Sequence, residues 1–163
     1  MLRIKLSKAS IAEKSIIDNL SQFYLYEFSQ YMSSIRLQDQ SGLYTALPDL
    51  DTYWGDPNRV PFILRVEEEL AGLALVIKGV SDQPHQIGEF FVLQKFGGKG
   101  VGKFAAQELF AMFPGNWLIH QMWNNYKAHA FWRSVVNAYT SGHYEEYYDE
   151  HRRPFQKFHT QAR

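Results

Sequence analysis

The stretch IGEFFVLQKFGGKGVGKFAAQELF, residues 87–110, joins two structural periods through a run of glycines. IGEFFVLQ (87–94) reads as a strand. From Val101 the apolar positions Val101, Phe104, Ala105, Leu109, Met112 and Phe113 recur at the spacing of one helical face. Between them, four of the nine residues of KFGGKGVGK (95–103) are glycine. The first amides of a helix lack intrahelical acceptors and carry the positive end of its dipole, so a glycine-rich helix entry suits a phosphate. Two phosphate-binding patterns fail on chemistry. The nucleoside-triphosphate loop GxxxxGK[ST] runs from Gly97 to Lys103, but Phe104 stands where a magnesium-binding hydroxyl is required, and the following strand WLIHQMW offers no carboxylate. The dinucleotide fingerprint fits Gly100, Gly102 and Ala105, but Met122, Trp123, Asn124 and Asn125 occupy the region that needs a ribose-binding acid. What remains is a backbone cradle for an anion that needs neither partner.

Working outward, Pro114-Gly115 ends the helix and NWLIHQMW (116–123) reads as the next strand. NNYKAHAFWRSVVNAY then begins a second amphipathic helix with Ala128, Phe131, Trp132, Val135 and Val136 on one side, and the remaining chain alternates as two strands turning near Asp149 to Arg153. On the N-terminal side, VPFILRVE and LAGLALVIKG flank the acidic turn Glu67 to Glu69 and predict an antiparallel hairpin. LRIKL (2–6) is a strand, and Ser10 with Glu13 forms a capping box before a helical face running from Ile16 to Tyr31. Residues 33–58 show no sustained period and read as loop with one short helix. The order β, α, loop, β, β, β, α, β, α, β, β predicts an α/β fold with a mixed sheet, because hairpins and crossover helices both occur.

Composition narrows the function. At 163 residues a single domain spanning 1–163 is expected. Seventeen basic and seventeen acidic residues cancel, so no field gathers nucleic acid or anionic lipid. The absence of cysteine removes thiolate nucleophiles and disulfides and suits a cytoplasmic location. No cleavable signal is visible, and the longest apolar run, LAGLALVI (70–77), is far below the roughly 18 residues of a membrane span. His143, His151 and His159 recur every eight residues but straddle a turn, so no metal site is expected.

The segment 87–110 resembles the signature of the GNAT superfamily, the acyl-CoA-dependent N-acyltransferases, whose loop [QR]-x-x-G-x-[GA] follows the fourth strand. Gly97 stands at the Arg/Gln position, followed by Gly98, Lys99, Gly100, Val101 and Gly102. NYKAHAFW (125–132) is similar to the family's N-x-x-A-x-x-[FL]-[YW] helix after the fifth strand. The resemblance implies a strongly twisted mixed sheet flanked by helices, with a splay between the fourth and fifth strands that admits the pantetheine arm of acetyl-CoA. It implies that backbone from Phe91 to Leu93 pairs with that arm, with an amide near Val92 polarising the thioester carbonyl. Amides from Gly98 to Lys103 would cradle the pyrophosphate, Lys99 and Lys103 adding charge, and Gly97 in place of Arg removing a guanidinium contact. Asn125 would bind CoA, and Trp132, where many relatives carry a tyrosine acid, would pack against the pantetheine or the core. Tyr126 and Tyr139 are substitutes for that acid.

Glu89 is the implied general base, since an alkylamine is protonated at neutral pH and must lose a proton before attack. The implied activity is direct acetyl transfer to a primary amine of a small molecule or peptide by a monomer or homodimer. The alternative is a non-catalytic acyl-CoA-binding or interaction module.

Overall fold

VPFILRV and LAGLALVI carry too many consecutive apolar residues for strands with one wet face, and both become central strands covered on both sides. A computed structural model describes residues 1–162 of the chain. β2 (Arg59–Val66) and β3 (Glu69–Ile77) form the predicted hairpin, turning on Glu67 and Glu68, both at positive φ. Two consecutive left-handed residues match the twist of the flanking strands. Arg3 steadies this turn, its amide and Nε donating to the Glu67 carboxylate at 2.8 and 2.9 Å.

β1 (Ile4–Lys8) pairs with β2, and β4 (Gln86–Val92) with β3, giving an antiparallel sheet in the order β1-β2-β3-β4. The second sheet is also antiparallel, with β5 (Gly115–His120), β6 (Tyr144–Tyr148) and β7 (Pro154–Thr160) in the order β5-β7-β6. Among the described residues, the mixed character of the whole rests on a single parallel bridge, His85 with Trp117, where the two sheets meet.

α1 (Lys14–Phe28) and a 3-10 turn at Leu50–Trp54 cover one face of the first sheet, packing Ile17, Leu20, Leu50 and Tyr53 on Ile63, Leu73, Leu75 and Phe91. α2 (Val101–Met112) and α3 (Tyr126–Thr140) take the opposite face, where Phe110, Trp132 and Val136 meet Phe62, Val76 and, across both sheets, Trp117 and Phe158.

The element order is the expected one, and several boundaries move. β1 starts at Ile4 rather than Leu2. α1 stops at Phe28 instead of reaching Tyr31, because the Ser29 hydroxyl and the Gln30 amide donate to the Tyr26 and Glu27 carbonyls and compete for the helix end. β4 ends at Val92, where Leu93 starts a tight turn through Gln94–Phe96. β5 ends at His120, since the Met122–Asn125 turn has to lead into α3. Within 33–58 the one short helix is the Leu50–Trp54 turn. No helix among the described residues is long and apolar enough to cross a membrane.

Candidate active site

β4 and β5 touch at one end only. The His85 amide donates to the Asn116 carbonyl at 2.8 Å, and the Leu118 amide to the His85 carbonyl at 2.9 Å. The His85 ring pins the same point: Nδ1 accepts from the Gly79 amide at 2.9 Å, so Nε2 carries the hydrogen and donates to the Pro114 carbonyl at 3.0 Å. Beyond this vertex β4 pairs with β3 alone and β5 with β7 alone, which leaves a V-shaped gap toward the C-terminal ends of both strands. Leu93 donates its amide to the Ala71 carbonyl at 2.8 Å, on the β3 side. Alternation along the strand therefore turns the amide and carbonyl of Val92, and of Phe90, toward the gap. Across the mouth, Asn124 Nδ2 donates to the Tyr31 carbonyl at 3.1 Å and ties the turn after α1 to the turn after β5.

The glycine loop closes the α2 end of this gap. Gly97 donates its amide to Gln94 at 2.9 Å, and Gly98 and Gly100 take φ of 70° and 77°, a region that side chains other than glycine's enter at a cost. Gly100 is the N-cap of α2 and no side chain caps the helix. The first intrahelical bond runs from the Phe104 amide to Gly100 at 3.0 Å, so the amides of Val101, Gly102 and Lys103 have no acceptor within the helix. Lys99 and Lys103 are exposed beside them. The Val101 side chain is buried in the core, leaving only its backbone for a ligand. Gly102 has a second use: a Cβ there would stand 3.1 Å from the Phe131 ring, so its bareness also lets α2 approach α3.

On the other face of β4, Glu89 lies among α1 and the Leu50–Trp54 turn. Burial raises its carboxyl above the ordinary glutamate range, and a hydrogen bond from the Tyr24 hydroxyl pulls it partly back. Burial, with the Glu89 charge beside it, raises the Tyr24 hydroxyl well above its ordinary value. Tyr24 packs edge-on against Phe91 with ring centroids 5.8 Å apart. The site thus combines an anion cradle, an open strand edge and a desolvated carboxylate on opposite sides of one strand.

The Acetyltransferase (GNAT) family pattern matches residues 16–136. The chain belongs to the GNAT acetyltransferase family. Solved structures repeat the fold over nearly the whole chain: an acetyltransferase from Thermus thermophilus has a TM-score of 0.68 at 17% identity, covering 96% of each chain. A ribosomal L7/L12 α-N-protein acetyltransferase in complex with coenzyme A has a TM-score of 0.65 at 12% identity, covering 98% of this chain and 96% of its own. The ribosomal-protein-S18-alanine N-acetyltransferase of Escherichia coli has a TM-score of 0.62 at 11% identity, covering 99% of this chain and 96% of its own. No curated protein matches the sequence. At these identities the structures establish the GNAT fold alone.

Within this GNAT chain, Phe91, Val92, Leu93 and Gly97 to Lys103 stand together around the gap, and Glu89 sits two residues before Phe91 on the opposite face from α2 and α3. Asn125 spends its side-chain oxygen capping α3, accepting from the Ala128 amide at 3.0 Å. Trp132 is only 6% exposed and belongs to the core, its ring 5.0 Å from both Phe90 and Phe131. Tyr139 also packs into the core, against Phe110 at the far end of α3, whereas Tyr126 is 71% exposed at the start of that helix. The three spaced histidines have separate partners: His143 bonds the Thr140 carbonyl, His151 faces Glu150 and His159 bonds Asn116.

Three features escaped the sequence reading. Tyr24 lies in FYLYEFSQYM, a segment the resemblance places at the acceptor pocket, but nothing in its spacing sets it apart from the other rings there. Gly88 did leave a signal, since an isolated glycine inside a strand marks a bulge or a close approach. The third is a row of rings across the second sheet, on the same face as Glu89: His120 stacks on Phe155 at 4.9 Å and Phe155 on Tyr147 at 5.2 Å. Partial desolvation beside the Phe155 ring, then the nearby Arg153, lowers His120 from its ordinary value, although the residue keeps an exposed edge. Two shallow depressions, of about 530 and 280 Å³, lie beside α1 and beside Trp54. Neither includes a residue of the glycine loop, and an open gap between strands suits a long flexible arm better than a closed cavity.

Proposed function

We propose that the chain is an acetyl-CoA-dependent N-acetyltransferase that passes the acetyl group directly to a primary amine of a small molecule or peptide, acting in the cytoplasm as a monomer or homodimer. The observation that carries this reading is the pairing of the gap, with the Val92 backbone turned into it, and the unbonded amides at the start of α2. Acetyl-CoA supplies the activated thioester. The amides from Gly98 to Lys103 hold its pyrophosphate, Val92 and its neighbours pair with the pantetheine arm as an added strand, and the Val92 amide polarises the carbonyl.

The acceptor approaches from the Glu89 face. A free alkylamine is almost wholly protonated near pH 7, and Glu89, desolvated so that it holds a proton more tightly than an ordinary glutamate, takes the proton before attack in its ionised form. The new C–N bond forms as the C–S bond breaks, and the departing thiolate takes a proton from water, because the tryptophan at position 132 cannot usefully donate one. Cysteine is absent, so no acyl-thiol enzyme forms and transfer is direct. Tyr24, Phe28 and Tyr31 on one side and His120, Phe155 and Tyr147 on the other surround the approach with rings, which favours an amine with an apolar body. The L7/L12 and S18 enzymes of similar fold act on ribosomal proteins, which makes a peptide N-terminus one acceptor class to assay.

Acetyl-CoA titration by calorimetry tests cofactor binding, with saturation below millimolar ligand expected and no heat at millimolar ligand refuting it. Thiol release with a panel of amines then tests turnover. A second reading, an acyl-CoA-binding module without turnover, draws on the buried Trp132 where relatives carry a tyrosine acid. Tight binding with no thiol release from any amine favours it.

A further inference from the structure

We propose that Tyr53 is a positioning residue whose hydroxyl fills a socket left by Gly88 in β4, and that this contact sets the bulge that aims Glu89 at the acceptor face. The inference rests on the reading of Glu89 as the base.

Pairing along β4 shows why a bulge is needed. Leu75 pairs with Glu89 and Val76 with Ile87, so Gly88 is an extra residue without a partner. Ile87 and Phe90 both pack toward α2 and α3, whereas Phe91 packs toward α1. In a regular strand Ile87 and Phe90, three residues apart, point to opposite faces. The extra residue resolves the conflict and leaves Glu89 on the α1 face beside Phe91. Without it, either Ile87 leaves the core or Glu89 enters it.

Something must hold that bulge, and Tyr53 is the side chain against it. Only 7% exposed, it comes from the Leu50–Trp54 turn and belongs to the cluster of Ile63, Leu73, Leu75 and Phe91, with the Arg59 guanidinium 5.6 Å over its ring. A Cβ on Gly88 would stand 2.3 Å from the Tyr53 hydroxyl oxygen, 3.3 Å from the Leu75 carbonyl oxygen and 3.6 Å from Tyr53 Cζ. The hydroxyl therefore occupies the space where a side chain belongs. Tyr24 reaches Glu89 from α1, and Tyr53 lies near enough for the Glu89 charge to help raise its hydroxyl, so two elements distant in sequence meet beside the carboxylate. Through Tyr53 the irregular segment before β2 is fastened to β4 next to the proposed base.

The distances predict a second-site rescue. Gly88→Ala drives a methyl into the hydroxyl, whereas Tyr53→Phe removes that oxygen and leaves the ring carbon at 3.6 Å, an ordinary contact. Thermal melting and the carboxyl titration of Glu89, followed by carbon NMR on glutamate-labelled full-length chain and assigned by its loss in Glu89→Gln, read the outcome. Gly88→Ala alone is expected to lower Tm by roughly 5 °C and to move the Glu89 titration toward the ordinary glutamate value. The double variant G88A/Y53F is expected to return both to the values of Tyr53→Phe. Should Gly88→Ala fail to fold, folding of the double variant supports the socket and its failure overturns it. A Gly88→Ala protein that melts and titrates like wild type, or a double variant no better than Gly88→Ala, also overturns it. Turnover of Glu89→Gln in the thiol-release assay is the separate arm: unchanged turnover removes Glu89 as base, while the socket still stands or falls on melting and titration.

Discussion

The two faces of β4 are built by opposite means. On the side of α2 and α3, the groups available to a ligand are backbone: the Val92 amide, turned into the gap at the strand's edge, and the amides from Gly98 to Lys103, made approachable by missing side chains. Toward α1, the groups are side chains held by other side chains, with Glu89 between Tyr24 and the Tyr53–Gly88 contact. A ligand shared by a whole family can be met by a fixed backbone, and a backbone cradle leaves its mark in sequence as glycines. A ligand that differs from member to member is met by side chains whose partners lie far apart in the chain.

The largest effect that would break this comparison is on the side-chain face. Glu89→Gln is expected to lower kcat/KM for the amine by about 10²- to 10³-fold, the usual scale for a lost general base, with acetyl-CoA affinity unchanged. Loss of cofactor binding in that variant would mean that the two faces are not independent. The reverse experiment is Gly100→Val, which forces a β-branched residue to a φ of 77° at the N-cap of α2. Acetyl-CoA binding should weaken by roughly 10-fold or more, as measured by calorimetry, with the Glu89 titration unmoved.

The pH dependence sharpens the picture further. Burial raises Glu89, so kcat/KM should rise with pH through a midpoint above the ordinary glutamate value, its ionised form being the working one. The folded protein binds the Glu89 proton more tightly than the unfolded chain does. This group's contribution to stability is therefore complete at acidic pH and is lost as pH rises through the folded midpoint. Glu89→Gln cannot ionise, so it should melt above wild type at neutral pH and lose that advantage below the ordinary glutamate range.

The smallest effect concerns Gly97. Its added Cβ would meet only the Gln94 carbonyl oxygen, at 3.2 Å, so Gly97→Arg should fold and tighten acetyl-CoA by about 2- to 5-fold through a charge-assisted contact to phosphate.

The same contrast explains what could be read from the chain alone. The hairpin at Glu67 and Glu68, the strand 87–92, the glycine entry to α2 and the amphipathic α3 are local patterns, each complete within about twenty residues. Glu89 could be singled out because it lies on the strand before the glycine motif, at a position where the resemblance implies a base. The Tyr53–Gly88 contact was not legible, because it depends on two residues 35 positions apart, on either side of the β2–β3 hairpin. The end of α1 depended on two side chains, Ser29 and Gln30, competing for backbone carbonyls, which helix periodicity does not register. The row from His120 through Phe155 to Tyr147 exists only after three strands have been set side by side in the order β5-β7-β6.

The pin at His85 has a mechanical consequence. With the strands hydrogen-bonded only there, β4 is a lever arm of about seven residues, or roughly 20 Å, between the pin and Val92, so a rotation of about 5° at the pin shifts the far end by about 2 Å. That is a large fraction of the spacing between paired strands. The width of the slot is thus sensitive to a few hydrogen bonds around one imidazole at its closed end, as well as to the Asn124–Tyr31 tie across its mouth.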